Sequence, residues 1–308
     1  MRLDDLHLLP KVRDSASFLY VERGRVEQDG RSIRFVQEHR RVPIPVASLS
    51  LLLLGPGTTF THQAARNAAE CGCTVAWCGE EGVRLYATGL GDTRSARRLL
   101  RQARLVSDPA ARLRVVRRMY QLRFAESLDP ALTLRQVRGL EGVRVRETYA
   151  RLSRETGVPW TGRSYRRDRW DAGDAINRAL SAANACLYGI SHAAVVSAGY
   201  SPALGFVHTG KALSFVYDVA DLYKTETSIP AAFHAVASGE PDVERATRLH
   251  LRDAFHQTRL LSRIVNDLGD LLDVDETLDD AVEADMTAPG GLWDPDGVVE
   301  GGVNHADS

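Results

Sequence analysis

The sequence predicts an α+β fold, with a small N-terminal β-sheet domain that contains one helix, followed by a larger all-α domain. Up to about residue 88, apolar residues alternate or form short continuous runs, as they do in strands. From Ser95 to about Leu272 they recur at helical spacing. We therefore predict a β-rich domain at 1–90, a helical domain at 91–280, and an acidic tail at 281–308 whose few apolar residues indicate disorder.

The N-terminal elements have clear local signals. SFLYVERGRVEQDGRSIRFV alternates and contains Asp29-Gly30, a dipeptide typical of a hairpin turn. LSLLLLG, near residue 50, is typical of a buried strand that ends at glycine and proline. A short helix is predicted to begin after Thr61 and to end at Gly72, and CTVAWC and VRLYAT are predicted to be strands.

The helical part is predicted from four apolar-periodic segments, with breaks at prolines and glycines. A break from Gly199 to Gly210 separates two of the helices and contains His208. The segments are LLRQARLV, RLRVVRRMYQLRFAE, the run 171–198 and VERATRLHLRDAFHQTRLLSRIVNDLGDLL, and the other breaks fall at Pro109, Pro130, Gly157 to Pro159, and Pro230.

The composition is that of an ordinary globular protein, with 44% hydrophobic and 26% charged residues in 308. The first residues form no extended apolar run, and LSLLLLG is too short to span a bilayer, so we expect a cytoplasmic protein without a membrane segment. Cys71, Cys73 and Cys78 lack the paired CxxC spacing of a zinc site. We expect them, and Cys186, to be buried thiols.

The charges are segregated along the chain although the formal net charge is −1. Between Arg94 and Arg169 there are 20 arginines against 7 acidic residues, and no lysine or arginine follows Arg263. A basic middle and an acidic end indicate nucleic-acid contact by the basic part. A coding bias explains why the chain has only three lysines, but not why this stretch has so few acids.

The segment 205–224, GFVHTGKALSFVYDVADLYK, is the strongest candidate for a functional site. Asp218 and Asp221 are three residues apart, so they lie on one face of a helix, and His208 precedes them by one loop. Two carboxylates and an imidazole are ligands that suit a divalent cation, and an acidic cluster in an apolar segment needs a compensating charge. The alternative is a hydrogen-bonded histidine beside two surface aspartates.

A third acidic residue, Glu141, lies in the arginine-rich segment RGLEGVRVRETY. Glycines at 139 and 142 flank it, and each costs about 1 kcal/mol in a helix interior. They suggest a close approach by backbone or ligand. The alternative is a surface salt-bridge residue on an arginine-rich helix.

RGLEGVRVRETYA, the long segment from DAINRAL to DLYK, and WCGEEGVRLYA resemble the CRISPR-associated integrase family Cas1, most of all its type I-E form. The resemblance extends from about residue 10 to about residue 270. It implies that Glu141, His208 and Asp221 bind a catalytic divalent ion, with Asp218 and Lys224 in the same site. Because no thiolate is present, we expect Mg²⁺ or Mn²⁺ rather than zinc.

The resemblance also implies a DNA-binding surface of aromatic and basic side chains. RSYRRDRW, residues 163–170, suits phosphate contact and base stacking, although it is equally consistent with a loop held by cation–π pairs. Tyr20 and Arg23 lie near the stretch where related proteins separate duplex ends, and this assignment stays open. The predicted DNA-binding residues are Arg84, Arg138, Arg163, Tyr165, Arg166, Arg167, Tyr188, Lys211 and Tyr217.

The implied activity is that of an integrase, in which the 3′-hydroxyl of a captured DNA fragment attacks a phosphodiester in a CRISPR repeat array. One ester replaces another, so no energy source is needed, and the sequence has no P-loop motif. The resemblance further implies a homodimer and two such dimers bridged by the small protein Cas2. Two alternatives remain open: a structure-selective DNA endonuclease that acts by hydrolysis, and a non-catalytic DNA-binding scaffold.

Overall fold

The computed structural model describes residues 18–30, 32–49, 51–79, 85–89, 96–162, 174–272, 292–294 and 297–299. Its N-terminal part contains two four-stranded sheets, one helix and a short 3-10 turn at Val46–Ser48. The elements are β1 (Phe18–Val21), β2 (Gly24–Asp29), β3 (Ser32–Gln37), β4 (Arg40–Ile44), β5 (Leu51–Leu54), β6 (Thr58–Phe60), α1 (His62–Glu70), β7 (Thr74–Cys78) and β8 (Leu85–Gly89).

The two sheets have different topologies. In the first, ordered β1-β5-β7-β8, the first three strands are parallel and β8 is antiparallel to β7. In the second, ordered β4-β3-β2-β6, consecutive strands form antiparallel hairpins and β6 is parallel to β2. The predicted turn between β2 and β3 is confirmed, with Gly30 at a φ of +61°. The predicted limits of α1 are also confirmed, because the Thr61 side chain accepts a hydrogen bond from the Ala64 N–H.

The rest of the described chain up to residue 272 is helical, which confirms the predicted α+β fold. The long apolar helix α5 is central and packs against four other helices. By length and composition it is the one described helix that could cross a membrane, but 72% of its most apolar window is buried within the protein. The helices are α2 (Arg97–Ser107), α3 (Pro109–Gln121), α4 (Leu134–Thr156), α5 (Ala175–Ser197), α6 (Ser214–Tyr223), α7 (Ser228–Ala237), α8 (Val243–Gln257) and α9 (Leu260–Leu272).

Strand β5 connects the sheets to the helices, because its side chains alternate between two cores. Leu51 and Leu53 belong to the core formed with the helices, whereas Leu52 and Leu54 pack with α1 and the second sheet. Residues 1–274 form one compact unit. The predicted boundary near residue 90 therefore marks the change from strands to helices within a single packed body.

Three local predictions differ from the structure. The C-terminal helical segment is two helices, α8 and α9, separated near Arg259, which has a φ of +47°. Pro230 does not break a helix but lies in the first turn of α7, where its missing N–H has no intrahelical partner to lose. Gly139 and Gly142, which flank Glu141, do not interrupt α4, because the rest of the helix outweighs the low helix propensity of two glycines.

The tail beyond residue 274 is a separate unit. Its six described residues form two paired antiparallel strands, β9 (Leu292–Asp294) and β10 (Gly297–Val299). For these six residues the structure differs from the disorder that the composition predicts.

The four cysteines are buried, as predicted, and none forms a disulfide. Burial raises the pKa of the Cys78 and Cys186 thiols to about 12. Both are therefore protonated at neutral pH, a state that neither attacks an electrophile nor binds a metal.

Candidate active site

The loop between α5 and α6 carries His208 and is held in place by two side chains from neighbouring helices. Gln102 of α2 is fully buried and donates to the carbonyls of Ser201 and Leu204, each at 3.0 Å. Arg112 of α3 donates through Nε and Nη2 to the carbonyl of Phe206, at 2.9 and 2.8 Å. The backbone of the loop is therefore held at Ser201, Leu204 and Phe206, shortly before His208.

Asp218 on α6 fixes the position of His208. Its carboxylate is fully buried, and Oδ2 accepts hydrogen bonds from the N–H groups of Phe206 and Val207 at 2.6 and 3.0 Å. Oδ1 accepts from the His208 N–H at 2.8 Å and from its Nδ1 at 2.7 Å. Because a carboxylate only accepts, Nδ1 is the donor, and Nε2 is the nitrogen that remains for a ligand.

The imidazole of His208 is partly exposed, at 43% for the side chain. The hydrogen bond with Asp218 raises the pKa of His208, burial lowers it, and the charge of Asp221 raises it further, so that the net pKa lies above the ordinary 6.5. The interaction with imidazolium stabilises the folded protein fully below about pH 6.5. This contribution is lost as the pH rises through the raised pKa.

We expect an NMR titration of His208, without divalent ions, to have its midpoint above 6.5. Replacing Asp221 with alanine should lower that midpoint, because the Asp221 charge favours the imidazolium. Ring proton shifts of both proteins measure the effect. An unchanged midpoint in the variant would show that the charge of Asp221 does not affect the pKa of His208.

Asp221 and Lys224 form an ion pair one helical turn beyond Asp218, with 2.5 Å between Oδ1 and Nζ. Lys224 also donates to the Tyr188 hydroxyl at 3.0 Å. Burial lowers the pKa of Lys224, but Asp221 and Tyr188 more than offset this effect, and the pKa is raised. Lys224 is therefore a fixed positive charge beside a candidate ligand.

Two of the predicted DNA-binding tyrosines lie beside these groups. The ring of Tyr217 packs edge-on against His208, with 5.9 Å between centroids, and against Tyr188, at 5.0 Å. Lys211 is exposed on the loop before α6, and Arg138 is exposed on α4 one turn before Glu141. Arg84, Arg163, Tyr165, Arg166 and Arg167 lie outside the described residues.

Glu141 lies on α4 with its side chain only 15% exposed. Its Oε1 is 3.2 Å from Nη1 of Arg123 and 3.3 Å from Nη2 of Arg144. The second branch of Arg144 donates to the hydroxyl of Thr225, which connects Glu141 to the end of α6. The other oxygen, Oε2, is buried and accepts no hydrogen bond from any residue that the structure describes.

The structure thus brings His208, Asp218, Asp221 and Lys224 together on α6 and its preceding loop, and links Glu141 to them through Arg144 and Thr225. Over the described ranges, no three His, Cys, Asp or Glu side chains are arranged to hold a metal ion. Added Cβ atoms at Gly139 and Gly142 would meet no described atom within 4 Å, so neither glycine marks a close approach by another part of the described chain.

Gln102, Arg112 and Arg123 also support the site, and no sequence pattern predicts their roles. Arg112 and Arg123 are two among the 20 arginines of their segment, and nothing in the local sequence distinguishes them. Their partners lie 94 and 18 residues away, so only the fold reveals the contacts.

Comparison with known proteins identifies the family. The model described as "CRISPR associated protein Cas1" matches residues 19–127 and 120–253. CRISPR-associated endonuclease Cas1 2 of Thermus thermophilus is 58% identical over 302 residues, which cover 97% of this chain and 93% of that protein. CRISPR-associated endonuclease Cas1 of Escherichia coli is 42% identical over 262 residues, covering 85% of this chain and 86% of the relative.

Solved structures agree with this similarity. A crystal structure of a TtCas1–DNA complex has a TM-score of 0.78 and 58% identity, and the match covers 87% of this chain and 100% of that one. A casposase bound to integration product shares the fold, at 16% identity and a TM-score of 0.54, and the match covers 87% of this chain and 99% of that one. The predicted enzyme class, nuclease or integrase, is confirmed by the relatives. The chain belongs to the Cas1 family.

Proposed function

We propose that this protein is a divalent-metal-dependent DNA integrase of CRISPR adaptation, which joins the 3′-hydroxyl of a captured DNA fragment to a repeat array by transesterification. The observation that carries the proposal is the juxtaposition of a positioned imidazole, His208, with Asp221 and Lys224 on one helix end. The Cas1–DNA complex of a 58% identical protein supports DNA as the substrate.

The donor atoms of Glu141, His208 and Asp221 suit Mg²⁺ or Mn²⁺ chemically, and their side chains would have to move together to hold one ion, because no three such groups converge in the described part of the chain. Glu141 and Asp221 supply carboxylate oxygens and His208 supplies Nε2, a mixture that these ions accept. The buried Oε2 of Glu141, which accepts no hydrogen bond in the described part of the chain, is an unfavourable arrangement that a cation would relieve. When bound, such an ion withdraws charge from phosphate oxygens and makes the phosphorus easier to attack.

Asp218 acts as a positioning residue in this proposal. Its two oxygens already accept four hydrogen bonds, from three backbone N–H groups and from Nδ1 of His208. It therefore holds the ring so that Nε2 points away from it, as carboxylates do for metal-binding histidines. Holding a second ion would break these bonds, which argues for a single ion.

The remaining side chains bind and orient DNA. The exposed charges of Lys211 and Arg138 neutralise phosphates of the strand, and Tyr188 and Tyr217 offer faces or edges to unpaired bases. The residues outside the described ranges, Arg84, Arg163, Tyr165, Arg166 and Arg167, complete this surface. Lys224 pairs with Asp221 and adds positive charge near the reacting phosphate.

The assembly that we propose follows the type I-E resemblance. The chain forms a cytoplasmic homodimer, in which the β-rich domain 1–90 contributes to dimerisation and DNA contact and the helical domain carries catalysis. Two such dimers are bridged by Cas2, so that each faces one end of the captured fragment. The specificity of the fragment ends lies with this complex.

A labelled DNA fragment and a repeat-containing duplex test the reaction. With Mg²⁺ or Mn²⁺, we expect a joined product from a fragment that ends in a 3′-hydroxyl and none from the same fragment with a 3′-dideoxy end. Hydrolysis uses water, so it would shorten strands equally with both fragments. That second outcome would replace the integrase with an endonuclease, the activity in the names of the relatives.

A further inference from the structure

Two positive side chains converge on one oxygen of Glu141. Nη1 of Arg123 and Nη2 of Arg144 lie 3.2 and 3.3 Å from Oε1. The Arg123 side chain is only 5% exposed, and its guanidinium lies over the ring of Tyr120, 4.8 Å from the centroid. The Arg123 charge is therefore fixed inside the protein and cannot move away into solvent.

The two contacts are hydrogen bonds as well as ion pairs. They are longer than the usual charge-assisted N–H···O bond of about 2.7 to 2.9 Å. The bond that orients His208, between Nδ1 and Asp218, is 2.7 Å. Both guanidiniums therefore place positive charge beside Glu141 through comparatively long hydrogen bonds.

The negative charges of the two carboxylates that we propose as metal ligands are thus already neutralised by basic side chains of the protein. Glu141 is paired with Arg123 and Arg144, and Asp221 is paired with Lys224. A divalent ion bound to Glu141 and Asp221 adds two positive charges next to three basic side chains. Like charges repel, so these three side chains oppose the binding of the ion.

We propose that Arg123 is an internal counterion of Glu141, which stabilises the carboxylate in the fold and competes with the divalent ion for it. Arg123 thereby sets the affinity of the site for metal, and this inference rests on the proposed metal-dependent function. DNA phosphates add negative charge to the same region, so metal and DNA should bind cooperatively. The counterion lowers metal affinity until the substrate is present.

The test is a titration of the full chain with Mn²⁺ in the absence of DNA. Binding is measured as the loss of the EPR signal of free Mn²⁺. We expect Arg123→Met to bind Mn²⁺ about tenfold more tightly than the wild type, because one repelling charge is gone. Arg123→Lys keeps the charge without the fork and should stay within about threefold of the wild type. Arg114→Met removes an exposed arginine from α3, the helix that ends two residues before Arg123, and is the matched control.

Arg144→Met provides a second variant, since Arg144 is 25% exposed and its loss perturbs the core less. It should also bind Mn²⁺ more tightly than the wild type. If both methionine variants bind Mn²⁺ more weakly or equally, while the wild type binds, the counterion proposal is overturned and the proposed function stands. If none of the proteins binds Mn²⁺, the metal site itself is wrong, and both proposals fall.

Discussion

Replacing His208 with alanine is expected to lower divalent-dependent strand transfer at least about a hundredfold, while DNA binding without divalent ions survives. Losing a residue that merely orients a ligand costs metal affinity about 10- to 100-fold, and losing the ligand should cost no less. The side chain is partly exposed at the end of a loop held by other groups, so its removal leaves the fold intact. Joined product per unit time and fragment affinity are the two measurements.

The control for this change is His234→Ala, which removes an exposed histidine from α7 and should alter neither quantity. Glu141→Ala and Asp221→Ala should reproduce the loss of strand transfer. A DNA-binding scaffold without catalysis predicts that none of these substitutions changes turnover. Activity that persists with Mg²⁺ or Mn²⁺ in the His208 variant would remove this residue from the proposed ligand set.

Replacing Asp218 with alanine should lower both strand transfer and the free energy of unfolding. The side chain is fully buried, and its removal leaves three backbone N–H groups of the loop, and Nδ1 of His208, without their acceptor. Removing one partner from a buried charged network costs about 3 to 5 kcal/mol. We expect a loss of this size in urea or guanidinium unfolding.

Asp221→Ala is the matched control because Asp221 lies on the same helix, one turn later, and is 20% exposed with a single ion pair described. It should abolish strand transfer but lower the free energy of unfolding by less than Asp218→Ala does, because the Asp221–Lys224 pair is partly exposed and Lys224 keeps its hydrogen bond to Tyr188. If Asp218→Ala were as stable as Asp221→Ala, the proposed positioning of His208 by Asp218 would be wrong.

Local signals in the sequence were sufficient for much of the fold. The β2–β3 turn at Gly30 and the start of α1 after Thr61 follow from residues whose backbone preferences are strong and independent of distant contacts. The division at Arg259 was not predictable, because arginine has no preference for positive φ. Gly139 and Gly142 have a strong local preference against helix, but α4 continues through both of them.

The site was predictable where its residues are close in sequence. His208, Asp218, Asp221 and Lys224 fall within 17 consecutive residues. Helical periodicity places the last three on one face, and the preceding loop brings His208 to them. The same periodicity could not distinguish a ligand from a support, and only the four hydrogen bonds of Asp218 identify its role. The role of Arg123 could not be predicted, because its pairing with Glu141 depends on how α3 packs beside α4.

Strand β5 has a mechanical consequence for the whole molecule. Adjacent leucines of this strand pack on opposite sides, in the helical core and in the sheet core. Because both cores are close-packed, a force on the sheets is transmitted to the helices through this strand. The body formed by residues 1–274 should then respond to load as a stiff block.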